Sequence, residues 1–98
     1  MTTLINILTV DPAKQEQLLE LLRANTDGVI RTLDGWQSTN LIASADGTRV
    51  VIYSQWRDAA SIEAMRRDPR MTAYFPRILA LAKFDSIVGE DAHAAVAP

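Results

Sequence analysis

The segment Ala45-Asp46-Gly47-Thr48 constrains this chain more than any other, because it separates two runs of strand-forming residues, Trp36 to Ser44 and Arg49 to Trp56. Asp-Gly supplies the positive φ that a tight turn needs, so the two runs are predicted to fold back on one another as an antiparallel hairpin. Alternation along the second run puts Val50, Ile52 and Trp56 on one side and Val51 and Tyr53 on the other. Both faces of the resulting sheet are therefore partly apolar, and both need a cover.

The flanking segments supply one cover. Thr3 to Val10 is short and rich in branched residues, which predicts a strand. Asp11-Pro12 ends it and caps a helix, since proline at the first helical position loses only an N–H that has no partner there. Leu18, Leu21, Leu22, Val29 and Leu33 then follow helical spacing, with Lys14, Glu16, Glu20 and Arg23 facing away. Asp27-Gly28 interrupts that face, so either one bent helix or two closely joined pieces are expected, stopped by Asp34-Gly35. Past the hairpin, Asp58 is placed to cap a helix from Ala59 to Arg67 whose stripe holds Ile62 and Met65. Asp68-Pro69 repeats the device and opens a short helix through Tyr74, and Pro76 either kinks it or starts another turn toward Leu81. The last strand is expected at Lys83 to Glu90, with Phe84, Ser86 and Val88 on one face and Lys83, Asp85 and Ile87 on the other.

This order reads as an α+β chain of ferredoxin-like (βαββαβ) plan, an antiparallel sheet with helices on one face. Residues 1–90 form the expected domain and residues 91–98 a flexible C-terminal tail. The economical cover for the second face of the sheet is a second copy, so a homodimer with two sheets face to face is expected.

At 98 residues the chain is one unit. A lone histidine, His93, and no cysteine exclude zinc fingers, iron–sulfur clusters, thiol nucleophiles and any multi-histidine metal site, so no metal is expected. Ten basic against twelve acidic residues leave no footprint for nucleic acid. No apolar stretch approaches the roughly 20 residues that span a bilayer, and a cytoplasmic protein is expected.

From Ser44 through Asp46-Gly47 to Tyr53-Ser54-Gln55-Trp56, with Gly35-Trp36 before and Asp68-Pro69-Arg70 after, the chain resembles the antibiotic biosynthesis monooxygenase family. The resemblance runs from Leu4 to Val88. It implies a dimeric α+β barrel with a pocket between the sheet and its own helices. Some members are cofactor-independent oxygenases that convert phenolic polyketides to quinones with molecular oxygen; others degrade haem, act on signalling molecules or have no established activity. Trp56 falls on the tryptophan of the quinone-forming members. Their asparagine four residues earlier is Ile52, their tyrosine six residues later is Ile62, and their arginine beyond the Asp-Pro-Arg start is Phe75. A haem-degrading member would need a histidine where this chain has Met65 and Arg66, although the first-strand asparagine of that group matches Asn6.

The resemblance thus implies a hydrophobic small-molecule substrate, molecular oxygen and no cofactor, with Trp56, Asn6 and Tyr74 as candidate catalytic residues. Trp56 is either a wall or orienting donor in the pocket or a large apolar residue that closes the sheet against a helix. Asn6, between Leu4 and Leu8 on one strand face, either meets a polar cavity or bonds to a neighbour, and Asn40 poses the same alternative. Tyr74 and Arg77 would assist a substrate phenolate, or else pack a ring and meet solvent. Ile52, Ile62, Met65, Met71 and Phe75 are either core or the lining of a greasy pocket. The arginines from Arg57 to Arg77 alternate with Asp58, Glu63 and Asp68, as on an ordinary charged helix face.

Overall fold

The computed structural model describes residues 1–98. Strand β1 (Thr2–Val10) leads through a 3-10 turn at Pro12–Lys14 into helix α1 (Gln15–Gly28), and a second 3-10 turn at Ile30–Thr32 follows. Strands β2 (Trp36–Ala43) and β3 (Arg49–Trp56) form the hairpin, helices α2 (Ala59–Arg67) and α3 (Pro69–Leu79) come next, and β4 (Ala82–Gly89) closes the chain. The sheet order is β2-β3-β1-β4, antiparallel throughout, which is the ferredoxin-like plan. No helix is long and apolar enough to cross a membrane.

The local devices act as the sequence implies. Asp11 accepts a hydrogen bond from the Ala13 amide at 2.8 Å, Asp58 from Ser61 at 2.8 Å and Asp68 from Arg70 at 2.8 Å. In the hairpin loop, Asp46 accepts from the Thr48 amide at 3.0 Å, the Thr48 hydroxyl at 2.7 Å and the Ser44 hydroxyl at 2.8 Å. These donors, the Thr48 amide foremost, hold its carboxyl down at about 2.

Two expectations change. Helix α3 does not stop at Tyr74 but carries Pro76 in its interior and runs to Leu79, with Met71, Tyr74, Phe75 and Ile78 packing onto the molecule on either side of the proline. On α1 the buried set is Leu18, Leu19, Leu22 and Asn25, with Leu21 only partly covered, because Leu19 shares a cluster with Ile78 and Ala82.

The helices cover the sheet in two places. One apolar cluster joins Leu8, Val10 and Val50 to Leu18, Leu19, Leu22 and Ile78; the other joins Leu4 and Trp56 to Val29, Ile62, Met65 and Met71. Each fully buried aliphatic side chain contributes roughly 1.5–3 kcal/mol. The opposite face of the sheet, with Ile5, Ile7, Val51 and Tyr53 at its centre, has no helix over it, and Ile42 and Ile87 are more than half exposed there. Residues beyond β4 form no helix or strand and are exposed.

Gly35 ends the first crossover at φ +85°, where a Cβ would stand 2.5 Å from the Ser61 Cβ. Gly35→Ala should therefore lower the unfolding free energy by about 2–4 kcal/mol in a urea titration, from a left-handed backbone combined with a clash. Gly89→Ala, with nothing within 4 Å, should stay within about 0.5 kcal/mol of the parent.

Because the Asp46 carboxyl is depressed from 3.8 to about 2, its contribution is present above pH 4 and is lost as the pH falls toward 2. The stability gap between the parent and Asp46→Asn should narrow over that range. A gap that stays constant in acid unfolding curves would show that the loop carboxylate does not act this way.

Candidate functional site

Between the two clusters the helices leave a chamber of about 80 Å³. Leu8, Leu22 and Ile78 line it from one cluster; Leu4, Trp56, Met65 and Met71 line it from the other. A groove of about 450 Å³ adjoins it and shares Leu4, Asn6, Met65, Phe75 and Phe84. The groove lies along β4, whose inward residues Phe84 and Val88 are 49% and 44% exposed because no helix reaches over that edge. The chamber alone holds a few waters. Together with the groove it enters the range of ligand sites, roughly 300–1,000 Å³.

Register places the polar groups. Asn6 lies opposite Ile52 on β3 and Ser86 on β4, and the Ser86 hydroxyl donates to Asn6 Oδ1, which leaves the amide nitrogen as the end available to a ligand. Ser54 lies opposite Leu4 and Thr39. The step in register between Trp36 and Ser38 gives Thr39 the same facing as Ser54, toward the chamber. Trp56, 1% exposed, donates its indole N–H to Ser54 Oγ at 3.1 Å, and that hydroxyl donates to the Leu4 carbonyl at 3.3 Å. The indole is thus packed as a wall, and its N–H is engaged by Ser54 rather than free to donate to a ligand.

Behind Trp56 the chain is clamped. Arg57 binds both oxygens of Asp34 at 3.2 and 3.0 Å, and its amide donates to the Gly35 carbonyl at 2.7 Å. The Arg57 guanidinium holds the Asp34 carboxyl below its ordinary value, through hydrogen bonds first and charge second. No titratable side chain lines the chamber, and in the groove only Arg66 carries charge, donating to Glu63 at 2.8 Å.

Asn6, Trp56, Ile52, Met65, Met71 and Phe75 converge on the chamber as a set. Four candidates lie elsewhere. Tyr74 packs between the two clusters with Arg77 over its ring, 5.2 Å from the centroid, because successive residues on α3 present Phe75 to the chamber and Tyr74 beside it. Arg77 is exposed toward α1. Ile62 is buried against Trp56 outside the lining, and Asn40, opposite Tyr53, belongs to the helix-free face by strand alternation. Sequence reasoning missed Asn25, Thr39 and Ser54 in the lining. Asn25 had a legible signal, since it stands on the Leu18–Leu22–Val29 stripe, where an amide is out of place.

Fold and site together define a small ferredoxin-like domain with an apolar, tryptophan-walled chamber between sheet and helices. A family model described as antibiotic biosynthesis monooxygenase matches residues 1–77, and the chain belongs to that family. It is 36% identical over 91 residues to the Tetracenomycin-F1 monooxygenase of Streptomyces glaucescens, covering 93% of this chain and 81% of that protein. The monooxygenase ActVA-Orf6 of Streptomyces coelicolor, solved with nanaomycin D, superposes with a TM-score of 0.88 at 27% identity, covering 99% of this chain and 91% of that one. SnoaB, a cofactor-independent oxygenase from Streptomyces nogalater, shares the fold with a TM-score of 0.80 at 19% identity, covering 95% and 94% of the two chains.

Ser54→Ala strands the indole N–H of Trp56 and should cost about 1–3 kcal/mol in denaturant unfolding. In a Trp56→Phe background the same change should cost under about 0.5 kcal/mol, since no donor is left unpaired. Equal costs in both backgrounds would remove the hydrogen bond as the anchor.

Proposed function

We propose that this protein is a cofactor-independent monooxygenase of the antibiotic biosynthesis monooxygenase type, acting with molecular oxygen on a hydrophobic, aromatic or polyketide-like small molecule. The observation that carries the reading is the apolar chamber walled by Trp56, Met65, Met71 and Phe75 and free of titratable lining, in a chain 36% identical to the Tetracenomycin-F1 monooxygenase.

Such a chamber suits a substrate that supplies its own electrons. In the keto tautomer of a phenolic ring a CH2 carbon loses a proton to water, the carbanion transfers an electron to oxygen, and the resulting radical pair recombines to form a C–O bond. The peroxide takes up a proton; its O–O bond then breaks as the remaining C–H proton leaves. A methylene plus one oxygen molecule thus becomes a carbonyl plus one water, with every electron drawn from substrate. Trp56 and the Asn6 amide orient the ring. The apolar walls admit a delocalised anion more readily than a localised one, and Arg66 at the groove favours the charged form there.

The working unit is proposed to be a homodimer, supported by the helix-free sheet face with Ile5, Ile7, Ile42, Val51 and Ile87. A second reading, a dimeric small-molecule-binding or accessory domain without turnover, is favoured by Ile52 and Phe75 lining the chamber where the family resemblance implies polar groups.

One assay decides between them. Purified protein with a panel of dihydroxy-aromatics under oxygen should consume one oxygen per product, indifferent to EDTA, and Trp56→Phe should lower kcat at least ten-fold. A rate equal to buffer and unchanged by Trp56→Phe overturns catalysis. Ligand-dependent thermal stabilisation without oxygen uptake then establishes the binding domain, and a native mass of one chain overturns the dimer.

A further inference from the structure

Four polar residues line the chamber: Asn6, Asn25, Thr39 and Ser54. Three are engaged within the chain. Asn6 Oδ1 accepts from Ser86, Thr39 Oγ1 accepts from the Trp36 indole at 2.8 Å, and Ser54 Oγ stands between Trp56 and the Leu4 carbonyl. Asn25 differs. It is 3% exposed, on the buried stripe of α1, and its Oδ1 is the one buried side-chain oxygen or nitrogen with no hydrogen-bond partner. An unpaired buried amide oxygen is expensive, and Asn25 interrupts an otherwise leucine-rich buried stripe.

The position of this amide matters as much as its state. The groove and the chamber share Leu4, Asn6, Met65, Phe75 and Phe84, whereas Asn25, Ile30, Thr39, Ser54 and Trp56 line the chamber alone. Asn25 therefore belongs to the part of the chamber that the groove does not share. A flat molecule that entered from the groove would have to pass the shared residues before its leading edge met this amide. Rotation about χ2 presents either the oxygen or the nitrogen, so the complementary ligand group is one that both donates and accepts: a hydroxyl.

We propose that Asn25 is a specificity-determining residue of this site, recognising a free ring hydroxyl on the leading edge of an aromatic ligand in the part of the chamber beyond the groove. The inference rests on the reading of the chamber as the ligand site and deepens it, by assigning which edge of the ligand goes in first. The hydroxyl completes an amide that the fold leaves open, and a ligand ending in a methyl group leaves that amide unpaired, so discrimination follows from what is lost as much as from what is gained.

The test is equilibrium dialysis of 2-naphthol and 2-methylnaphthalene, which differ by hydroxyl against methyl at equal size, against the parent and Asn25→Leu. Comparing the ratio of the two dissociation constants between proteins cancels the greater intrinsic hydrophobicity of the methyl compound. The hydroxyl preference should fall about ten-fold in Asn25→Leu while its Tm equals or exceeds that of the parent. Asn25→Ala is the second variant and should show the same fall. If both ligands bind but the ratio stays within two-fold in the variants, Asn25 recognition is overturned and the chamber as ligand site stands. If neither ligand binds the parent, the chamber reading falls and the inference with it. Absence of turnover overturns the oxygenase alone, because dialysis reads no chemistry.

Discussion

The pairing of β1 with β3, which sets Thr2 opposite Trp56 and Thr9 opposite Arg49, governs both faces of the sheet. In this register Leu4, Asn6 and Leu8 turn toward the helices together with Ser54, Ile52 and Val50, and Ile5 and Ile7 turn away with Tyr53 and Val51. A slip of one residue would exchange the two sets and put isoleucines under the helices in place of the amide. The loop that holds the hairpin, the clamp from Arg57 to Asp34 and the tight approach of Gly35 to Ser61 all act on the ends of β2 and β3. They therefore serve the same register that fixes where Trp56 stands.

The chamber follows from how helices of unequal reach cover that sheet. Helix α1 packs over Leu8 and Val50, while α2 and the start of α3 pack over Leu4 and Trp56, so the row carrying Asn6 and Ile52 falls at the seam. Close packing ordinarily removes such seams. Here the seam carries four polar side chains among mostly apolar ones and opens along β4, where helix cover ends. An environment of this kind disfavours localised charge throughout its depth, and that confines any ionic step to delocalised species or to the groove beside Arg66.

Strand order, hairpin, both cap-plus-proline devices and the two-faced character of the sheet were legible because each is written in local spacing. The chamber half of the site was legible for the same reason: Asn6, Ile52 and Trp56 are placed by strand alternation alone. Misplacement began where the answer depended on the angular setting of a helix. Tyr74 and Phe75 are adjacent, and about 100° of rotation per residue decides which one meets the chamber; the proline at position 76 further obscured how far the helix ran. Asn40 was misplaced by a similar margin, since the irregularity between Trp36 and Ser38 sets the facing of every later residue on β2. Asn25 was overlooked because an isolated amide on a leucine stripe is read as a flaw in the stripe until its oxygen is seen to lack a partner.

The apolar replacements that separate this chain from the quinone-forming pattern are not equivalent once placed. Ile62 packs against Trp56 outside the chamber, so it removes no polar group from the lining. Ile52 does line it, yet the residue directly across the ladder is Asn6. Side chains so opposed stand roughly 4.5–5.5 Å apart at Cβ. The row of the sheet that carries Ile52 therefore still holds an amide, on β1 next to the groove, where the Ser86 hydroxyl on β4 donates to its oxygen. Asn25 adds a second amide to the lining, from α1. The chamber thus keeps two amides, Asn6 from β1 and Asn25 from α1, among apolar walls that include Ile52 and Phe75, and no charged side chain lines it.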